Sequence, residues 1–173
     1  MNVKSWLSEP DAQTTLSLPT VPSGKPGGNR QHALTMTAES IQYSDQRHLP
    51  IEGLLALYQA NAWSSAEKPE LLHKGLLASH SLVTAWDDGK LVGLGNALSD
   101  GHLVVYYPHL LVLPEYQGRG IGTRLMGMLV ARYQGFHQHM LMADGRAIEF
   151  YRKCGFQRAG KTEPMWIYEG NDH

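Results

Sequence analysis

The spacing of apolar positions along this chain changes repeatedly, and each change marks a new element. From Thr35 a short alternating stretch through Ile41 and Tyr43 predicts a first strand. Behind Pro50, residues Ile51, Leu54, Leu55, Leu57, Tyr58 and Ala62 recur at helical spacing. Leu71, Leu72, Leu76 and Leu77 do the same behind Pro69, so two helices with proline in the first turn are expected. Ser81–Trp86 and Leu91–Leu98 flank Asp87-Asp88-Gly89, and Ser99-Asp100-Gly101 leads on to a stretch from about His102 to Leu113. Asp-Gly pairs between apolar runs are hairpin signals, which predicts three consecutive antiparallel strands. After Pro114 the period becomes 3.6, with Ile121, Leu125, Met126, Leu129, Val130 and Tyr133 on one stripe of a helix from about Gly120 to Tyr133. His139–Ala143 reads as a short buried strand, Ala147–Cys154 as a short helix capped by Gly155, and Phe156–Tyr168 as one or two returning strands. The order β-α-α-β-β-β-α-β-α-β, of α+β type, predicts a mixed, mostly antiparallel sheet flanked by helices.

Length and composition narrow the picture. A chain of 173 residues allows one domain with or without a tail. Residues 1–34 hold four of the nine prolines and no sustained period, so a boundary is expected between that extension and a domain over 35–173. The extension reads either as a flexible segment or as an arm that packs on a partner chain, and a homodimer would be such a partner. It matches neither a secretory signal nor a mitochondrial presequence, which makes the cytoplasm the expected compartment. Net charge is −1, so there is no uniform basic field to hold nucleic acid or anionic membrane. The single cysteine, Cys154, cannot form an internal disulfide, and zinc-finger spacing is absent, so no metal is expected.

The most informative stretch is Leu110-Leu111-Val112-Leu113-Pro114-Glu115-Tyr116-Gln117-Gly118-Arg119-Gly120-Ile121-Gly122-Thr123, a strand that passes through a glycine-rich turn into a helix. Alternate glycines let several N–H groups converge at a helix start, where the dipole favours an anion. A P-loop would need Gly-Lys-Ser/Thr, but Arg124 follows Thr123 and no lysine is present. A dinucleotide fingerprint would need glycine where Thr123 stands and a preceding parallel βαβ unit.

Gln117-Gly118-Arg119-Gly120-Ile121-Gly122 instead resembles the Gln/Arg-x-x-Gly-x-Gly/Ala signature of the GNAT acyltransferase superfamily, and Phe150-Tyr151-Arg152-Lys153-Cys154-Gly155-Phe156 is similar to its Phe-Tyr-x-x-x-Gly-Phe hallmark. The resemblance spans roughly Thr35 to Tyr168 in element order and is sharp from Leu110 to Phe156. It implies a fourth strand splayed from the fifth, with acyl-CoA in the gap, acetyl-CoA being the expected co-substrate. The pantetheine arm would pair with backbone at Leu111, Val112 and Leu113. The pyrophosphate would lie on the turn from Gln117 and Gly118 through Arg119, Gly120, Ile121 and Gly122 to Thr123. Asp144, near the position of a CoA-contacting asparagine in relatives, is a further contact candidate, although Asp-Gly is also an ordinary turn.

The resemblance assigns Tyr151 as the acid that protonates the departing thiolate, against a packing role beside Phe150 and Phe156. Relatives place a carboxylate base where this chain has Pro108 and His109. His109 becomes the candidate proton acceptor, with a core or surface histidine as the other reading. Tyr106 is a candidate for positioning a water, and Cys154 reads as an inert buried thiol. Trp63, Tyr106, Tyr107, Met165 and Trp166 either line an acceptor site or belong to the core. The expected function is transfer of acetyl from acetyl-CoA to the primary amine of a small molecule. The alternatives are a protein N-terminal or lysine acetyltransferase, a non-catalytic acyl-CoA-binding module, and an interaction protein acting through its N-terminal arm.

Overall fold

A computed structural model describes residues 41–169, and the proposed extension over residues 1–34 lies outside them. Strand β1 (Gln42–Ser44) is followed by helices α1 (Ile51–Ala60) and α2 (Pro69–Ala78), joined by a short 3₁₀ turn at Ser64–Glu67. Then come β2 (Ser81–Asp87), β3 (Lys90–Ser99), β4 (Val104–Tyr106), β5 (Leu110–Val112), α3 (Ile121–Ala131), β6 (Gln138–Met140) and α4 (Ala147–Lys153). The six strands form one mixed sheet: β1-β2-β3-β4-β6 along its main path, with β5 also paired to β3 and only the β4–β6 pair parallel.

The β2–β3 hairpin turns at Asp88 and Gly89, both at positive φ (44° and 80°), as a tight right-twisted turn requires. β3 is buried from Leu91 to Ala97 because helices cover both of its faces. On one side α1 and α2 contribute Leu54, Leu57, Tyr58, Leu72 and Leu76 to the core. On the other, α3 contributes Ile121, Leu125, Met126 and Leu129. The approach of α3 depends on glycine in β3. A Cβ on Gly93 would lie 3.2 Å from Leu125 Cδ1, and one on Gly95 would lie 2.9 Å from Leu110 Cδ1 and 3.0 Å from Leu129 Cδ1.

The structure corrects three expectations, one of them that His139–Ala143 is a buried strand: β6 is Gln138–Met140, with Gln138 and Met140 exposed. The third meander strand, expected as one run from His102 to Leu113, is two short strands interrupted by Tyr107-Pro108-His109. Its start is delayed because the Asp100 carboxylate accepts the N–H groups of His102, Leu103 and Val104, which bend the chain away from a ladder and hold that carboxyl down at about 2. Phe156–Tyr168 forms no strand. Gly160 and Thr162 donate to the carbonyls of Arg158 and Ala159 in a turn, and Met165 and Ile167 beyond it are 94% and 102% exposed. Apolar residues without a neighbouring edge have no ladder to join. No described helix is long and apolar enough to cross a membrane.

Gly95→Val is expected to cost about 1–3 kcal/mol of stability, since the β-branched side chain must displace Leu110 and Leu129 from a packed contact. Denaturant unfolding checks it, and a midpoint equal to that of the unsubstituted protein would show that α3 can withdraw freely.

Candidate active site

The site begins with a miscount between strands. Leu98 pairs with Tyr106 and Gly95 with Leu110, so Tyr107, Pro108 and His109 stand opposite only Asn96 and Ala97. The extra residue makes a bulge. Pro108 has no N–H to give a ladder. Asn96 absorbs the irregularity: its N–H donates to the His109 carbonyl at 3.1 Å, and its Oδ1 accepts the His109 N–H at 3.2 Å. Before the bulge, β4 runs parallel to β6, and the last bond between them is Tyr107 N–H to Met140 O at 2.9 Å. Beyond it, β5 pairs with β3 alone.

One edge of β5 is therefore unpaired among the described strands, and a gap opens between β5 and β6. Leu113 N–H donates to Val92 O, and Leu111 lies opposite Leu94 in the same alternating ladder. Main-chain polar groups at 109, 111 and 113 thus turn toward β3, and those of Leu110 and Val112 turn toward the gap. Of the backbone positions expected to meet a ligand, Val112 faces the gap, whereas Leu111 and Leu113 are engaged with β3. The Val112 carbonyl accepts Gln117 Nε2 at 3.1 Å.

From β5 the chain passes through a 3₁₀ turn at Pro114–Tyr116 to Gln117, then through Gly118 and Gly120 at φ 76° and 81° into α3. Such φ values favour glycine. Gly122, in the first turn of α3, sits beside α4, where a Cβ would meet the Phe150 ring at 3.4 Å. No side chain caps the start of α3, and its first turn, which includes Ile121 and Thr123, carries no acidic residue. Two arginines flank this turn: Arg119 lies 4.8 Å over the Tyr116 ring and donates to Glu115 O, and Arg124 lies 5.9 Å from the Tyr43 ring.

Tyr151 is on α4, half-buried, with Phe150 and Phe156 edge-on at 5.0 and 6.0 Å. Burial, then the nearby Cys154 thiol and Tyr106 hydroxyl, push its pKa up to about 12, so the phenol is protonated at neutral pH. Burial also pushes the Cys154 thiol up, which keeps it unreactive. Asp144 is exposed just before α4, where its carbonyl accepts the Ala147 N–H.

His109 sits in an aromatic cluster that sequence reasoning did not assemble. Its Nδ1 is 2.6 Å from Tyr58 Oη, and Trp63 meets both rings edge-on at 5.2 and 5.9 Å. Burial lowers the His109 pKa to about 4, so the ring is neutral at pH 7. Asn96 Nδ2 donates to Ser79 Oγ, which donates to Gly75 O, tying the bulge to the end of α2. The clue to Asn96 was one polar residue inside the apolar run Leu91–Leu98; Tyr58 gave none, since its hydroxyl sits in an ordinary helical stripe. His109 also lines an open groove of about 380 Å³ with Leu71, Leu72, Leu76, Leu98 and Pro108. Of the other aromatic candidates, Trp63 joins this cluster, Tyr106 is half-buried on β4, and Tyr107 is core, its hydroxyl 2.9 Å from His139 Nδ1. Met165 is almost fully exposed and Trp166 stacks on Tyr168.

Comparison with known proteins fits this geometry. The sequence profile of the Acetyltransferase (GNAT) family matches residues 48–156. The chain belongs to that family. It is 34% identical over 133 residues to the histone acetyltransferase TAP1 of Glycine max, covering 70% of this chain and 58% of that one. It is 33% identical over 110 residues to the N-alpha-acetyltransferase RimI of Mycobacterium tuberculosis, covering 60% of this chain and 70% of that one. The chain spans only part of the length of curated relatives it matches, 27% of one and 70% of another. A solved GNAT-family acetyltransferase from Streptococcus pneumoniae superposes with a TM-score of 0.66 at 31% identity, over 75% of this chain and 98% of the other. The splayed sheet expected from the family resemblance is the arrangement found, with β4 and β5 together as the fourth strand and β6 as the fifth.

The half-buried histidine of the bulge makes stability depend on pH. The unfolded chain takes up a proton at His109 near 6.5 and the folded chain only near about 4. Between those values the unfolded state binds more protons, so this residue's contribution is present above 6.5 and is lost as pH falls toward 4. A His109 ring titration followed by NMR should have its midpoint near the lower value, and a midpoint near 6.5 would contradict the burial.

Proposed function

We propose that the chain is an acetyl-CoA-dependent N-acetyltransferase that moves acetyl to the primary amine of a small molecule by direct attack. The observation that carries this reading is the continuity of one surface: the gap-facing edge of β5 leads directly into the uncapped, glycine-lined start of α3. In this reading the pantetheine arm pairs like an added strand with the free N–H of Val112 and the groups of Leu110, while Gln117 occupies the Val112 carbonyl. The pyrophosphate accepts N–H groups from Gly118 through Thr123, where the helix dipole is positive. In this reading Asp144, exposed just before α4, is a further cofactor contact.

The reaction balances without a covalent enzyme intermediate. A neutral amine attacks the thioester carbon, the C–N bond forms, the C–S bond breaks, and the amine's proton leaves to water. Tyr151 gives its phenolic proton to the departing thiolate and regains one from solvent. A protein amine is the second reading, supported by relatives whose names specify histone and N-alpha acetylation. We assign the protein to the cytosol, in keeping with its single free thiol.

Acetyl-CoA or CoA is expected to raise the melting temperature progressively with concentration. A folded protein that shows no shift would overturn the cofactor site. With an acceptor found by screening amines for CoA release, Tyr151→Phe should lower turnover by about 10²- to 10⁴-fold and leave CoA affinity unchanged. Unchanged turnover, with chemistry rate-limiting, would return Tyr151 to a packing role. Tight CoA binding with no thiol release for any amine would identify a binding module in place of an enzyme.

A further inference from the structure

A sealed hydroxyl with one polar neighbour decides where that neighbour carries its hydrogen. Tyr58 is wholly buried, and its Oη meets His109 Nδ1 at 2.6 Å, its one hydrogen-bond partner among the described residues. If Nδ1 carried the hydrogen and donated it to Tyr58, the phenol's own hydrogen would point into Leu-rich core with nothing to accept it, at the full desolvation cost of an unmade bond. If Tyr58 donates to the Nδ1 lone pair, both groups are satisfied and the neutral imidazole carries its hydrogen on Nε2.

The ring cannot turn away from this arrangement easily. Asn96 binds the His109 backbone on both its N–H and its carbonyl, and Trp63 stands edge-on at 5.2 Å. His109 Nε2 has no hydrogen-bond partner among the described residues. Ser65 Oγ is the one sealed side-chain polar atom there without a partner, so Nε2 is not sealed and opens to the groove that His109 lines. Ser65 lies in the lining of the same groove, whose walls are otherwise mostly Leu71, Leu72, Leu76, Leu98 and Pro108.

We infer that Tyr58 locks His109 in its Nε2–H form, so that the groove beside α2 presents a hydrogen-bond donor that holds a carbonyl oxygen of the acceptor and does not take the amine's proton. The second half rests on the acetyltransferase reading; the first does not. Tyr58 is a positioning residue acting through His109. Lys68, the cation in the groove's lining, is paired with Glu169 at 3.7 Å, and the mostly apolar walls suit an uncharged amide carbonyl next to an aliphatic chain better than a carboxylate, which would lose its hydration against leucine.

Histidine-labelled full-length protein at pH 7 tests the lock by long-range proton–nitrogen correlation. The expected pattern is a protonated Nε2 and an unprotonated Nδ1, and the reverse overturns the inference whether or not CoA binds. In Tyr58→Phe the two nitrogens should average toward a mixture; a variant that keeps the full Nε2–H form would show that Tyr58 is not the lock. If that variant fails to fold, the unsubstituted spectrum still decides. The carbonyl contact is tested by titrating leucinamide against 3-methylbutylamine, which shares its chain and amine but lacks the carbonyl. Leucinamide should displace the His109 Nε2 resonance and bind about tenfold more tightly. Equal affinity, or no displacement of Nε2 by leucinamide, overturns the contact while leaving CoA-induced stabilisation as the separate measure of the cofactor site.

Discussion

Three residues facing two across a strand pair is the constraint from which the rest of the site follows. Tyr107, Pro108 and His109 cannot all join a ladder with Asn96 and Ala97, so the chain must bend there. The bend sends β4 toward β6 and leaves β5 on β3, which creates the gap. It also turns His109 into the aromatic cluster of Tyr58 and Trp63. Asn96 makes the bend affordable: it satisfies both backbone groups of His109 in a region where an unpaired N–H would be costly, and its own amide is anchored on Ser79. A single buried asparagine thereby couples sheet geometry to site geometry.

The glycines divide into three kinds by what their missing Cβ permits. Gly93 and Gly95 let α3 settle close to β3, which fixes the height of its first turn over the β5 edge. Gly118 and Gly120 have open space around them and are required for their positive φ, which curls the backbone at the helix start. Gly122 does neither; it admits the Phe150 ring, and so links the α3 turn to the helix that carries Tyr151. The start of α3 and the helix of Tyr151 are thereby held in one packed unit.

Element types were legible because their periods are strong: the helices behind Pro50 and Pro69, the Asp88-Gly89 hairpin and the stripe of α3 all stand as the pattern predicts. The glycine turn was legible because so few structures need that spacing. The break at Tyr107–His109 was not, since Pro108 in an apolar run signals an irregularity without saying which neighbour strand each half will choose. Nor was the fate of Phe156–Tyr168, where the apolar run Met165–Tyr168 is present but strand formation depends on an available edge elsewhere in the chain. The partnership of Tyr58 with His109 joins residues 51 apart and appears only when α1 lies over the bulge.

Burial gives the site its protonation states. Desolvation is the largest influence on both ionisable groups, moving Tyr151 up to about 12 and His109 down to about 4. Across the interval between those values both stay uncharged, so neither offers a counter-ion that would hold an acceptor amine in its unreactive ammonium form. Positive potential is concentrated instead at the start of α3, where a phosphate would sit, and Arg119 and Arg124 nearby add to it while lying over the rings of Tyr116 and Tyr43. A phosphate there would be drawn to backbone N–H groups whose positions are fixed by the fold, while the gap beyond would be left to neutral donors. For acyl transfer that division has a chemical consequence: the thioester carbonyl would enter a region without formal charge, and the proton that must depart before transfer is the amine's own.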